Sequence, residues 1–355
     1  MDLIILTGTP YEMGVQHGRQ LRDEIHALAD DRLRLCLTDM EAVGSSVGEA
    51  ECLALARTHL PFFEKHAPLA WAEFQGIADG AGISLERLFV GNGYTDFVDV
   101  LMLKQAAAEL GCTAFLVRRE FSHSGHTLLG QTWDMHPSAK QFVHLFQREP
   151  TEGAASLVLS TAGCLSLIGL NAAGIAIGNN NLCPLDARPG LMYLTLIHQA
   201  LAQITLDAAI AGITAGPRAS GHNYLLADAD RIVDIETTAL EYELLEPAAP
   251  WYVHTNHYRT KRLAVQEMQI PSPSSTRRLE RMEVLLASAT TVDVDTLWTF
   301  MSDRTDAENP ICRLPSTDDE SVTCAAVIVR PETGEMWAAR GDPLHNAYAY
   351  YKLPQ

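Results

Sequence analysis

Gly111 and Cys112 are the pair of residues best suited to chemistry in this chain. A thiolate is the most nucleophilic common side chain. The glycine before it leaves its own carbonyl unshielded and its backbone free to take unusual angles. Those are the requirements of self-cleavage: sulfur attacks the Gly111 carbonyl, the amide becomes a thioester, and water releases a chain that begins at Cys112. The new α-amine, with an ordinary pKa of about 7.7–8.0, can then accept the proton of its own thiol. A cysteine that merely opens a core strand is the competing reading, because free cysteine is among the most buried residue types. Further polar groups gather where strands are expected to end. Asn179, Asn180 and Asn181 follow Gly178, and Thr255, Asn256 and His257 follow Tyr252-Val253-His254. His254 and His257 fall on opposite faces of an extended segment, so a metal site shared with His136 is not expected.

These groups need elements to hold them. The apolar run Ala114–Val117 reads as a strand, His123–His126 as a turn and Thr127–Asp134 as a returning strand. The thiol therefore opens a β-hairpin whose partner carries the Asp134 carboxylate near its far end. Residues 1–111 read as a first strand followed mostly by helices. Thr9-Pro10-Tyr11-Glu12 starts one that runs on through Val15, Leu21, Ile25 and Leu28. Gly14 and Gly18 on one of its faces suggest close packing of helix on sheet. More helices are expected at 48–66, 68–81, from Ser84 and at 98–109. After Cys112 the chain turns strand-rich, with hairpins around 171–174, 229–230 and 331–333. Between them come a long helix over 194–213, a Pro/Ser loop at 271–275 and a helix over 277–287 with its charges outside. Trp133 is expected in the core. The loops 94–108, 181–190 and 302–322 are the places where substrate selectivity would be set.

Composition narrows the class. The 355 residues, 47% hydrophobic and 20% charged, suit a large globular core. A formal net charge of −18 argues against nucleic acid, whose phosphates need a basic face. No apolar run is long enough to span a bilayer. The opening segment is apolar but carries Asp2 where a secretory signal would be basic. Seven cysteines with no CxxC spacing suggest neither a disulfide framework nor a zinc site, and a reducing cytoplasm is the expected compartment. No cofactor, metal or membrane partner is implied, and a homo-oligomer is compatible with the sequence.

Several stretches carry a family resemblance in one order: Gly8-Thr9-Pro10-Tyr11-Glu12-Met13-Gly14, Gly111-Cys112-Thr113, Gly130-Gln131-Thr132-Trp133-Asp134, Ile168–Ala176 and His254-Thr255-Asn256-His257. The chain resembles the acyl-coenzyme A:6-aminopenicillanate (isopenicillin N) acyltransferase family, also called peptidase family C45, of the N-terminal nucleophile hydrolases. The resemblance implies an α+β fold, a four-layer αββα sandwich of two mainly antiparallel sheets flanked by helices, forming a single domain over 1–355. It implies self-cleavage between Gly111 and Cys112, giving pieces 1–111 and 112–355 that stay together. It also implies roles. Cys112 matches the nucleophile, Asp134 the acid that orients nucleophile and amine, and Asn256 the amide that helps hold the oxyanion. Asn180 and Ser321 match positions that face the substrate.

The sequence departs from the family at three places: Thr132 stands where asparagine is common, Ala114 where the penicillin enzyme has threonine, and Val322 where it has arginine. Arg313 is the nearest arginine in sequence. The leading expectation is a cysteine amidohydrolase that cleaves a linear amide of a small N-acyl compound through an acyl-thioester. An acyltransferase passing the acyl group to an amine or coenzyme A is the alternative. An uncleaved, non-catalytic ligand-binding relative is the second.

Overall fold

The computed structural model describes residues 1–101, 111–268, 271–315 and 321–354. In chain order the strands are β1 (Leu3–Gly8), β2 (Cys112–Val117), β3 (Leu128–Met135), β4 (Val143–Pro150), β5 (Ser156–Thr161), β6 (Ile168–Asn171) and β7 (Ala176–Leu182). They continue as β8 (Gly221–Ala227), β9 (Ile232–Thr237), β10 (Tyr242–Leu245), β11 (Trp251–His254), β12 (Val322–Arg330), β13 (Glu335–Arg340) and β14 (Ala349–Lys352). The first six helices are α1 (Pro10–Gln20), α2 (Arg22–Ala42), α3 (Glu49–His66), α4 (Pro68–Ala81), α5 (Leu85–Asn92) and α6 (Tyr94–Leu101). The rest are α7 (Tyr193–Leu201), α8 (Leu206–Thr214), α9 (Lys261–Ala264), α10 (Pro273–Ser288) and α11 (Val294–Met301).

Two sheets form the middle of the molecule. One runs β1-β4-β5-β6-β7-β8-β9-β10, antiparallel except for β1 beside β4. The other runs β11-β2-β3-β12-β13-β14 and is antiparallel throughout. β2 and β3 lie over β7 and β8, so the sheets meet face to face. Helices α1 and α7 pack on the outside of the first sheet, α10 and α11 on the outside of the second. This is the αββα layering expected of the resemblance. Because helices cover both outer faces, every residue of β2 and β3 is buried, including Thr113, Gln131 and Thr132.

Local chemistry decides most boundaries. Thr9 accepts from the Glu12 amide while Glu12 reaches back to the Thr9 amide, the reciprocal cap that starts α1. The continuous helix expected from Thr9 to Leu28 is instead two, broken at Leu21. The glycines of α1 do not meet a sheet. Gly14 and Gly18 lie against Gly76 and Gly80 of α4, and a methyl group on Gly14 would stand 2.1 Å from the Glu73 carbonyl oxygen. Missing side chains on both helices let two backbones touch.

Other expectations needed correction for equally local reasons. The long helix over 194–213 is split, because Thr205 turns its hydroxyl to the Ala208 amide and caps α8 as a new helix. The loop expected at 271–275 is largely helix, because Ser272 caps and Pro273 occupies the first turn of α10. The strand expected to reach His257 stops at His254. Helix α6 ends its described part at Leu101, and the rest of the helix expected over 98–109 lies outside the described residues.

Candidate active site

Cys112 opens β2 opposite Trp133 of β3, at the edge where the two sheets meet. Its peptide N–H donates to Asn256 Oδ1 at 2.7 Å. Asn256 sits just past the end of β11, which pairs with β2, so the pairing of those strands brings residues 112 and 256 together. The Asn256 amide is oriented by its neighbours. Its Oδ1 receives the Cys112 N–H and Arg278 Nη2 at 3.0 Å, and its Nδ2 donates to the Asn181 carbonyl at 3.2 Å. Its own N–H is tied to Ser275 Oγ at 2.8 Å.

Asp134 follows Trp133 on β3, and its backbone carbonyl is 4.0 Å from Cys112 Sγ. Its carboxylate turns to the neighbouring strand β12: Thr323 Oγ1 donates to Oδ1 at 2.7 Å, and Arg313 Nε stands 3.9 Å from Oδ2. Thr323 and Arg313 also exchange two hydrogen bonds, Thr323 N–H to the Arg313 carbonyl and Arg313 N–H to Thr323 Oγ1. Arg313 thus brings a guanidinium to the acid although the arginine position after Ser321 holds valine. Burial, reinforced by the Asp134 charge, pushes the Cys112 thiol up to about 12. The thiol is therefore neutral near pH 7.

The residue that sequence reasoning missed is Arg278. It is only 1% exposed, the bulkiest fully buried side chain among the described residues. Its Nη1 donates to the Cys112 carbonyl at 2.6 Å and to Thr113 Oγ1 at 3.0 Å, and its Nε to Ser274 Oγ at 3.3 Å. The expectation that α10 keeps its charges outside fails here. The signal was present: Ser274, Arg278, Met282 and Leu286 fall four apart and are all buried, so the arginine lies in the core-facing row. Arg278 also explains Gly111. A methyl group on that glycine would stand 2.6 Å from Arg278 Nη2 and 3.5 Å from the Arg313 guanidinium carbon. Two guanidinium groups flank the bond between residues 111 and 112.

A small cavity is lined by Cys112, Asp134, Asn256, Asn181, Tyr193 and His222, among others. Trp133, expected in the core, is part of its wall. Asn179 and Asn181 line it, whereas Asn180, one residue out of phase, is fully buried and not part of that wall. Ser321 is buried just before β12 and does not line the cavity either. Of the loops expected to shape selectivity, 102–108 and 316–320 lie outside the described residues. His222 stacks on Tyr193 with ring centroids 4.2 Å apart, and its Nδ1 is 3.2 Å from Asp96.

The histidines weighed as metal ligands are dispersed. His257 Nδ1 lies 2.8 Å from Ser275 Oγ, and His136 lies beside Arg32. Among the described residues, one group of three places possible ligand atoms within 4.8 Å of one another: Asp234, Glu236 and His254. Its atoms have protein partners. Tyr252 Oη donates to Asp234, His254 Nε2 stands 2.8 Å from Glu236, and the amides of Arg259 and Thr260 donate to Glu236. Against the cost of burial, these contacts hold the Glu236 carboxyl down to about 2. They tie down both ends of the turn that carries Asn256.

The chain is similar to several known proteins. The model of the family "Acyl-coenzyme A:6-aminopenicillanic acid acyl-transferase" matches residues 121–345, a span that begins after Cys112 and includes Asp134 and Asn256. The chain is 26% identical over 285 residues to the acyl-coenzyme A:6-aminopenicillanic-acid-acyltransferase 40 kDa form of Emericella nidulans, covering 79% of this chain and 76% of that one. It is 25% identical over 211 residues to an uncharacterized protein of Archaeoglobus fulgidus, covering 53% of this chain and 34% of the other. Similar solved structures include a Clostridium perfringens conjugated bile acid hydrolase, at 11% identity and a TM-score of 0.48, covering 68% of this chain and 96% of that one. A Caenorhabditis elegans N-acylethanolamine-hydrolyzing acid amidase ortholog matches at 13% identity and a TM-score of 0.45, covering 68% and 100%. With well over half of its residues matched by the family model, the chain belongs to the acyl-coenzyme A:6-aminopenicillanic acid acyl-transferase family.

Proposed function

We propose that the chain is a cysteine amidohydrolase that matures by cutting itself between Gly111 and Cys112 and then cleaves linear amides of small N-acyl compounds. The observation that carries this reading is the treatment of Cys112. Its nitrogen faces Asn256 Oδ1, its carbonyl faces Arg278, and its neighbour is a glycine pressed against two guanidinium groups.

In the cutting step, Sγ adds to the Gly111 carbonyl carbon, and the charge that develops on the carbonyl oxygen lies beside Arg278 and Arg313. The C–N bond breaks, the nitrogen takes a proton and becomes the α-amine of Cys112. Water then hydrolyses the thioester. In turnover that amine accepts the Sγ proton as sulfur adds to the substrate carbonyl. The two cations nearby disfavour its ammonium form and so keep it a base near neutral pH. Asn256, whose Nδ2 donates to a carbonyl at rest, supplies a donor to the oxyanion. Asp134, held by Thr323 and Arg313, fixes the β3 end against which Cys112 lies. The leaving amine departs protonated, and water regenerates the thiol. The free state of all seven cysteines suits a reducing cytoplasm, where a thiol nucleophile survives.

Intact-mass spectrometry of the wild type beside a Cys112→Ala variant tests the reading. Two chains split after Gly111 in the wild type and one chain in the variant are expected. A single uncut chain in both sinks self-maturation and favours the non-catalytic alternative. The family's name favours a second reading, acyl transfer. Hydrolysis assays repeated with hydroxylamine separate the two, since a transferase diverts most of the acyl group to the hydroxamate.

A further inference from the structure

The cutting step has a proton to place. In the whole chain the Cys112 nitrogen is a peptide N–H, held by Asn256 Oδ1 at 2.7 Å, so it cannot act as a base. The Asp134 carboxylate is turned to Thr323 and Arg313. Among the residues lining the Cys112 cavity, His222 carries an imidazole. Strand β8 sets it opposite Asn181 of β7, whose carbonyl holds the Asn256 amide, and β2 packs on both strands. His222 is 1% exposed. Its ring lies on that of Tyr193 at an interplanar angle of 6°, and Asp96 Oδ1 stands 3.2 Å from its Nδ1. Asp96 is fixed in turn by the Tyr193 N–H at 2.7 Å. A carboxylate beside Nδ1 draws the ring proton to that nitrogen and leaves the lone pair on Nε2.

The cavity has a volume of about 20 Å³, room for one water molecule. Its wall is polar where a water needs partners. Thr95 Oγ1 and Asn181 Oδ1 both belong to lining residues, and both are buried atoms with no hydrogen-bond partner among the described residues. Thr95 is 7% exposed, so bulk water does not answer its hydroxyl. Buried polar atoms left unpaired are costly. One water there would answer both, within reach of the thiol and the imidazole that share the lining.

We propose that this cavity seats one water that carries the Cys112 thiol proton to His222 in self-cleavage. The proposal rests on the cut between Gly111 and Cys112 and deepens that reading by naming the proton's route. As Sγ bonds to the Gly111 carbonyl carbon, its proton passes to the water, and a proton of that water passes to Nε2. The imidazolium, steadied by Asp96, returns a proton by the same route to the Cys112 nitrogen as the C–N bond breaks. The shift to the thioester thus gains and loses no proton. Once the cut is made, the α-amine of Cys112 takes over as base. Because Thr95 and Asp96 lie on α6, before the cut, the relay draws on both segments.

The test follows freshly translated protein by mass spectrometry. The wild type is expected to cut, and His222→Gly to cut about 100-fold more slowly or worse, the scale of general acid–base catalysis. Added imidazole, which fits the space the ring leaves, is expected to restore part of the rate in proportion to its concentration. Thr95→Val keeps the size of the side chain and loses the hydroxyl, and a slowing of about 5- to 10-fold is expected, the scale of one hydrogen bond. A His222→Gly protein that cuts as fast as the wild type overturns the proposal. So does one that is slow, folded by circular dichroism and indifferent to imidazole, or a Thr95→Val protein with an unchanged rate. If His222→Gly does not fold, His222→Gln takes its place: a folded protein that cuts slowly supports the proposal, and an unchanged rate overturns it. A wild type that stays whole sinks self-cleavage itself, whereas a wild type that cuts no faster than His222→Gly sinks the relay alone.

Discussion

Arg278 and Arg32 are both arginines buried in helices near Cys112 or the cavity walls around it, yet their surroundings differ in kind. Arg278 donates to the Cys112 carbonyl, Thr113, Asn256 and Ser274, so the protein itself uses up its hydrogen-bonding capacity. Arg32 rests on a tyrosine ring and one imidazole nitrogen. The first is bound into the strand end that carries Cys112, and the second braces α2 against Tyr94 and His136. A buried charge therefore says little by itself about role. What distinguishes the two is the set of acceptors the fold places around each.

That contrast can be broken by substitution. Arg278→Met leaves the Cys112 carbonyl, Thr113 and Asn256 without their donor. Self-cleavage measured by mass spectrometry is expected to slow by about a thousandfold or more, and thermal unfolding to show a loss of about 3–5 kcal/mol. Any residual hydrolysis should have its acid limb shifted to higher pH, since removing the cation raises the pKa of the α-amine that must be unprotonated. Asn256→Ala keeps Arg278 but removes the donor proposed for the oxyanion, and kcat is expected to fall by about 10²–10³. Gly111→Ala presses a methyl group on Arg278, and the cut is expected to slow by about tenfold in a time course on fresh protein. Arg32→Met is expected to have the smallest effect. Unfolding by urea should show a change within about 1 kcal/mol, or a gain, because the cost of a buried charge goes with it. A loss as large as that of Arg278→Met would erase the contrast.

Much of the frame was legible in the sequence. The hairpin of β2 and β3, the hairpins at 171–174 and 331–333 and the helices over 48–66 and 68–81 follow from alternation, turn residues and caps that act locally. Cys112 and Asn256 stood out because strand ends show in sequence, and β-pairing then brought them together. The misreadings are of a different sort. Arg278 was placed outside because charge was allowed to outweigh its position in a row of core residues. Gly14 and Gly18 were paired with a sheet because their partners Gly76 and Gly80 lie some sixty residues away, and nothing local names them. Three identical residues in a row, Asn179 to Asn181, hide the phase of β7, and the structure turns Asn179 and Asn181 to the cavity. Arg313 reaches Asp134 by a loop, at a distance that spacing does not encode.

Strand β1 has a consequence for the molecule's history. It comes from the segment before Gly111, yet it is hydrogen-bonded as the edge of a sheet whose other strands all come from the segment after it. Glu73 from the earlier segment pairs with Arg148 of β4, and His17 accepts the Gly163 amide. In a whole chain, pairing β1 with β4 is a matter of closing a loop. A break at Gly111 would turn that closure into the meeting of two separate molecules, with a concentration-dependent cost on every refolding. Once cut, the protein would keep its shape through contacts alone. Heat or denaturant would then cost it something the uncut chain can recover: the means to put itself back together.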